Sequence, residues 1–197
     1  MTAVEFFWDP GSTNTYFAWK LLGPLAERHG ATIVPRAFNL GFVFRHHNYT
    51  LMEEPAAKIA NRKRDLERWA TKYELPFRFP DVFPIKTSRA LRGALAMRVH
   101  GLEHAFISAV LEAYWEANDH SITEIAGLAR LAEGLGADPE AFAADVESPA
   151  IRELLIAETE DGLERGVFGA PSFLIGEELF WGKDRFDFVE DELKRLS

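Results

Sequence analysis

The spacing of apolar and polar positions changes character three times along the chain. Residues 4–8, VEFFW, are a short run rich in strand formers that stops at Asp9-Pro10-Gly11. A helical spacing starts at Thr13 and runs to about His29, where Gly30 ends it; Pro24 falls inside and should bend it. Residues 32–39, TIVPRAFN, predict a second strand, with Pro35 pointing to a sheet edge or a bulge. The next stretch, up to about residue 165, is helical in period. Residues 56–73 form an amphipathic segment with a basic face, Ser88 is placed to cap RALRGALAMRVH, and EHAFISAVLEAYWEAN follows Gly101. Ser121 to Glu124 has the spacing of a capping box, and Asp138-Pro139 and Ser148-Pro149 read as N-cap and first-turn pairs. Residues 77–84, FRFPDVFP, are too rich in proline and aromatics to be regular. After VFGAP the period returns to two: SFLIG and ELFWG predict a hairpin around Gly176-Glu177, and residues 184–196 close as a helix.

The order β-α-β, helices, β-β-α is that of an α/β thioredoxin-like fold with a large all-helical domain inserted between its βαβ and ββα halves. This predicts a thioredoxin-like domain from residues 1–45 plus 166–197, and an inserted helical domain from residues 46–165.

Composition narrows the function. With 22 Lys+Arg against 31 Asp+Glu the chain is acidic, which argues against nucleic acid or an anionic membrane surface as partner. No apolar run approaches the ~20 residues of a membrane span. The start, MTAVEFF, lacks the basic and small-residue signature of a signal peptide, so a cytoplasmic location is expected. Cysteine is absent. Disulfides, thiolate metal sites and protein-thiol nucleophiles are thereby excluded, and any thiol chemistry must use a ligand's thiol.

Three places carry candidate chemistry. Ser12 sits where a strand turns into a helix: it serves as an N-cap, or it stabilises a bound anion together with the helix N-terminus. Thioredoxin-fold redox enzymes carry Cys-x-x-Cys at this turn, and here the positions read Ser12-x-x-Thr15. Ala170-Pro171 stands before the hairpin, where such folds place a cis-proline facing the first helix; the residue before it then has a backbone open to an extended peptide. Trp181-Gly182-Lys183-Asp184 ends a strand and starts the last helix. Asp184 is an N-cap there, or its carboxylate meets a ligand ammonium while Lys183 meets a carboxylate. Two further patterns are weak. His100-x-x-Glu103-His104 matches a zinc-peptidase pattern, but Gly101 disturbs the helix that must present both imidazoles, and no metal site is expected. His46-His47 are adjacent, so on a strand they would face opposite ways. The aromatics Phe42, Phe44, Tyr49, Phe77, Phe79 and Phe83 belong to the core or wall an apolar cleft.

On FFWDPGSTNTYFAWKLL, RDLERWATKYELPFRFP and FGAPSFLIGEELFWGKDRF, the chain resembles the 2-hydroxychromene-2-carboxylate isomerase family, relatives of kappa-class glutathione transferases and DsbA-like proteins. The resemblance implies a glutathione-dependent cis–trans isomerase acting on an aromatic or conjugated carbonyl compound in aromatic catabolism, working as a homodimer. It implies that Ser12 holds the glutathione sulfur, that the backbone of Ala170 pairs with the tripeptide, and that Trp181, Gly182, Lys183 and Asp184 surround its γ-glutamyl head. Lys183 replaces an Asn of that segment, and Thr13 stands where the family often has Pro. On the substrate side, Phe44 and Phe83 stand where a family member has Lys and Tyr, and its Asn-Arg pair has no counterpart in residues 50–58. Two other readings keep parts of this picture: a kappa-like transferase that conjugates glutathione to an electrophile, and a non-catalytic thioredoxin-like binding module.

Overall fold

The structure, a computed structural model, describes residues 2–50 and 54–196. Strand β1 (Ala3–Trp8), helix α1 (Thr13–Arg28) and strand β2 (Thr32–Ala37) make a parallel βαβ unit, with Ala3 opposite Thr32 and Trp8 opposite Ala37. Gly30, at φ 58, ends α1 as the pattern predicts. Strands β3 (Ser172–Ile175) and β4 (Glu178–Trp181) form the hairpin, and β3 pairs antiparallel with the other side of β1, Phe6 facing Phe173. The sheet order is β2-β1-β3-β4, so the hairpin joins the sheet of β1, and Pro35 lies in an edge strand. Both X-Pro peptides before Pro84 and Pro171 are cis.

Alternation along β1 sends its side chains to two buried faces. Val4, Phe6 and Trp8 enter the main core, where Phe6 meets Trp19 of α1 and Phe173 of β3. Phe7 points the other way into a smaller cluster with Phe38, Val43 and Leu174. The long central segment supplies α2 (Leu40–His46), α3 (Ala56–Lys72), α4 (Ser88–Arg98), α5 (Glu103–Trp115), α6 (Ile125–Gly134), α7 (Pro139–Glu147) and α8 (Pro149–Glu164); α9 (Phe186–Arg195) closes the chain. Leu91, Phe106, Tyr114 and Trp115 from these helices belong to the same cluster as Phe6 and Trp8. Sheet and inserted helices therefore share one apolar core. A buried ion triad fastens them at the other end. Arg98 of α4 bonds Glu103 of α5 at 2.8 Å and Glu158 of α8 at 2.6 Å, and Glu158 accepts the Ala37 N–H of β2 at 2.7 Å.

The helix-start signals divide by what else the residues touch. Asp138 caps α7 through Ala141 N–H, and Ser148 caps α8 through Ile151 N–H. Three other expectations are corrected. Thr87, not Ser88, stands at the N-cap of α4, and its hydroxyl goes to a buried carboxylate instead of the helix. The Ser121–Glu124 box does not form: Ser121 lies in a 3-10 turn capped by Asp119, and Glu124 is drawn to Arg89 at 3.0 Å. Asp184 precedes α9 by two residues and pairs with the exposed Arg185 at 2.8 Å, and Arg185 stands at the N-cap position.

Helix α8 crosses the second sheet face at a glycine. A Cβ on Gly162 would lie 2.8 Å from the Phe38 ring and 2.9 Å from the Phe7 ring, both fully buried. Overpacking costs about 1–3 kcal/mol, against a helix-propensity gain of about 1 kcal/mol for Gly to Ala. Gly162→Ala should therefore lower stability in a denaturant titration. Gly134→Ala, where an added Cβ meets nothing within 4 Å, should leave it unchanged or raised; equal behaviour of the two would contradict the packing.

Candidate functional site

The turn after β1 is held from below by Asp9. Its carboxylate, 1% exposed, accepts the Gly11 N–H at 2.8 Å on one oxygen. The other oxygen takes the Leu40 N–H and the Thr87 hydroxyl, each at 2.9 Å. One side chain thus ties the turn to the start of α2 and to the end of the proline-rich loop. Glycine at 11 permits this approach: a Cβ there would lie 3.0 Å from the Thr87 methyl. Trp115 adds a bond from its indole N–H to Pro10 O at 2.9 Å. Burial pushes the Asp9 carboxyl up from 3.8 to about 6, although the bonds from Leu40, Gly11 and Thr87 favour its charged form.

Above this support sits Ser12. Its backbone is extended, at φ −92 and ψ 117, and its Oγ accepts the Thr15 N–H at 3.4 Å, a long cap bond. The same hydroxyl donates to Ala170 O at 2.8 Å. The structure therefore brings Ser12 directly onto the residue before the cis-proline. The helix cap and the anion site are compatible, because the cap uses an oxygen lone pair and leaves the proton. That proton now rests on a neutral carbonyl, and it must turn away from Ala170 O to serve an anion. An anionic acceptor would win that competition, since charge-assisted hydrogen bonds are roughly twice as strong as neutral ones. Thr15, at the second position of the turn motif, is fully buried and its hydroxyl makes no hydrogen bond.

The segment after β4 folds back on the same peptide. Gly182 N–H bonds Pro171 O at 3.0 Å, and Trp181, half-exposed, lies against the Phe168 ring at 5.2 Å. Lys183 is buried. Its ammonium lies 4.4 Å above the Trp69 ring centre and 3.4 Å from Asp65, both on α3. Asp184 is exposed beside Arg185. Lys183 thus lies between an aromatic face and the Asp65 carboxylate.

Phe44 lies on α2, past the end of β2, with its ring 5.2 Å from Tyr49. Phe83, in the loop before cis-Pro84, packs on Phe79 and Trp115, and Phe77 packs on Phe17 and Trp115, so these three aromatics line the core. Residues 51–53, within the stretch compared for the Asn-Arg pair, lie outside the described residues. The histidines point to other work. Glu103 is held by Arg98, and His104 lies 5.4 Å from Trp19, so the HxxEH residues are engaged separately. His46 and His47 end a helix instead of lying on a strand, their rings in edge contact at 4.9 Å. Among the described residues no three metal-binding side chains gather.

This sheet order, with a strand-to-helix turn bonded to the peptide of a cis-proline, defines a thioredoxin-like domain. A family model described as a DSBA-like thioredoxin domain matches residues 3–194. The 2-hydroxychromene-2-carboxylate isomerase of Sphingobium xenophagum is 33% identical over 194 residues, covering 96% of this chain and 97% of the relative. A solved selenomethionyl 2-hydroxychromene-2-carboxylate isomerase superposes with a TM-score of 0.85 at 29% identity, covering 98% of this chain and 95% of its own. The cytosolic disulfide reductase DsbM of Pseudomonas aeruginosa, solved with GSH, shares the fold at a TM-score of 0.68 and 19% identity, over 98% of this chain and 96% of its own. The chain belongs to the DSBA-like thioredoxin domain family and, within it, to the family of 2-hydroxychromene-2-carboxylate isomerases.

Sequence reasoning treated Asp9 as a turn residue and missed its supporting role. Its strand-ending Asp-Pro-Gly was visible, but its partners stand 31 and 78 positions away. The raised pKa carries a sign. The folded carboxyl keeps its proton to higher pH than the unfolded chain, so its contribution is complete below about pH 4 and is lost as pH rises through 6. Measured as wild type relative to Asp9→Asn, stability should fall by roughly 2 kcal/mol between pH 4 and 7, at ~1.4 kcal/mol per pKa unit. A difference that is flat or rises over that range would contradict the assignment.

Proposed function

We propose that this protein is a glutathione-dependent cis–trans isomerase of a small aromatic or conjugated carbonyl compound, of the 2-hydroxychromene-2-carboxylate type. The observation that carries the reading is the 2.8 Å bond from Ser12 Oγ to Ala170 O at the start of α1, in a chain without cysteine. It puts a hydroxyl donor, a helix N-terminus and an extended backbone segment at one point, which is what a thiol-bearing peptide requires. The similarity to the Sphingobium 2-hydroxychromene-2-carboxylate isomerase and the GSH-bound DsbM structure support the same reading.

When bound, glutathione would supply a thiolate nucleophile for reversible addition to a conjugated carbonyl compound. Ser12 and the positive end of α1 favour the charged sulfur over the thiol. The backbone of Ala170 pairs with the peptide and orients it. Trp181, Gly182, Lys183 and Asp184 surround the γ-glutamyl head, with Asp65 beside Lys183 as a further acceptor. Phe44 and Phe83 present apolar surface to the substrate. In this reading residues 1–45 and 166–197 hold the tripeptide and the helical insertion of residues 46–165 adds Asp65 and Phe83. A cytoplasmic homodimer accompanies the proposal, with light scattering as its check.

The apolar character of Phe44 and Phe83 also favours a second reading, a kappa-like transferase, and product analysis separates the two: an isomerase regenerates glutathione, a transferase consumes it.

Turnover of a conjugated keto acid such as the hydroxychromene carboxylate, followed by absorbance, is the test. Activity should be absent in glutathione-free protein, return on addition of glutathione without its consumption, and survive chelators. Ser12→Ala should lower turnover about 10- to 100-fold, the equivalent of ~1.5–3 kcal/mol for a charge-assisted bond. Full turnover without glutathione would overturn the proposal.

A further inference from the structure

A cavity away from the Ser12 turn collects positive charge. It measures about 590 Å³ and lies between the proline-rich loop, the first turns of α4 and the α7–α8 junction. None of Ser12, Ala170 or residues 181–184 lines it. Four cations do: Lys86, Arg89, Arg92 and Arg152, against two carboxylates, Glu124 and Glu147. The local balance is four minus two, a surplus of two positive charges, in a chain whose net charge is −9.

The carboxylate of Glu147 is heavily shared. Arg92 reaches it at 2.9 Å, Arg89 at 3.7 Å, and Arg152 also pairs with it. Arg89 also has Glu124 at 3.0 Å, so two carboxylates face three guanidiniums and Lys86, and the surplus falls on Arg92 and Arg152, which share Glu147. Arg92 shows the shortfall most clearly. It is 8% exposed, and its Nε–H has no hydrogen-bond partner. A buried donor on a cation without an acceptor is costly, and because this Nε is enclosed, an anion in the cavity would balance the guanidinium's charge without bonding that N–H. The same lining includes apolar side chains, Val82, Pro84 and Ile85. That lining and the volume exceed what a bare inorganic anion fills and suit a small organic molecule.

We propose that this cavity binds an organic carboxylate with an apolar, ring-sized body, its carboxylate on Arg92 and Lys86 and its ring on Val82, Pro84 and Ile85. The proposal does not depend on the glutathione reading, since it uses no residue of that site.

The test is a calorimetric titration of the full chain with 2-naphthoate, with neutral 2-naphthamide and inorganic phosphate as comparison probes. Naphthoate should bind saturably, and both comparison probes at least about tenfold more weakly. Arg92→Met should weaken naphthoate about tenfold or more, and Glu147→Gln, which frees the arginines, should strengthen it. Because Arg92 is buried, Lys86→Glu at the exposed rim provides the variant that keeps the fold, and it too should weaken binding. The proposal is overturned by absence of saturation at millimolar naphthoate, by phosphate binding as tightly as naphthoate, or by unchanged naphthoate affinity in Lys86→Glu.

Discussion

The arrangement of this protein depends on one buried carboxylate. Asp9 ends β1, and its two oxygens hold three donors from three separate segments: its own turn, the start of α2 and the approach to α4. Without it, two backbone N–H groups and a threonine hydroxyl would face a water-free interior, at a cost of about 1–3 kcal/mol each. Burying a carboxylate is itself expensive, which the raised pKa records. The bonds offset this by joining the thioredoxin-like sheet to the inserted helices at the point where Ser12 emerges. The Arg98–Glu103–Glu158 triad does the same at the far end of α4. Between these two polar anchors α4 is apolar enough to be buried from Ala90 to Met97.

Rigidity below the turn has a consequence above it. Ser12 Oγ donates to the Ala170 carbonyl, and the proposed function asks it to turn that proton to an anion. With its backbone held, the serine answers by rotating a hydroxyl and not by moving the chain, so little reorganisation opposes charge stabilisation. Gly182 bonded to Pro171 O brings the Trp181–Asp184 segment to the same peptide. Residues far apart in sequence thus converge on the cis-proline from both sides.

What could be read from the sequence followed from local chemistry. Gly30, Asp138, Ser148, the hairpin around Gly176 and the Ser12 cap each act within a few residues, and each stands where the pattern placed it. The failures have a common cause, a distant partner outcompeting a local one. Thr87 serves Asp9 instead of its helix, and Glu124 serves Arg89. Asp9 escaped notice for the same reason. The Ser12–Ala170 contact spans 158 positions, and spacing alone could not reveal that the two candidate features are hydrogen-bonded to each other.

The central claim is that the Ser12 hydroxyl exchanges Ala170 O for a thiolate. The ultraviolet thiolate absorbance of bound glutathione, titrated against pH in wild type and Ser12→Ala, tests it most directly. Loss of one charge-assisted donor, ~1.5–3 kcal/mol, should raise the bound thiol's pKa by about one to two units while the affinity for glutathione changes little. Identical titration curves in the two proteins would contradict the claim and leave Ser12 as a helix cap.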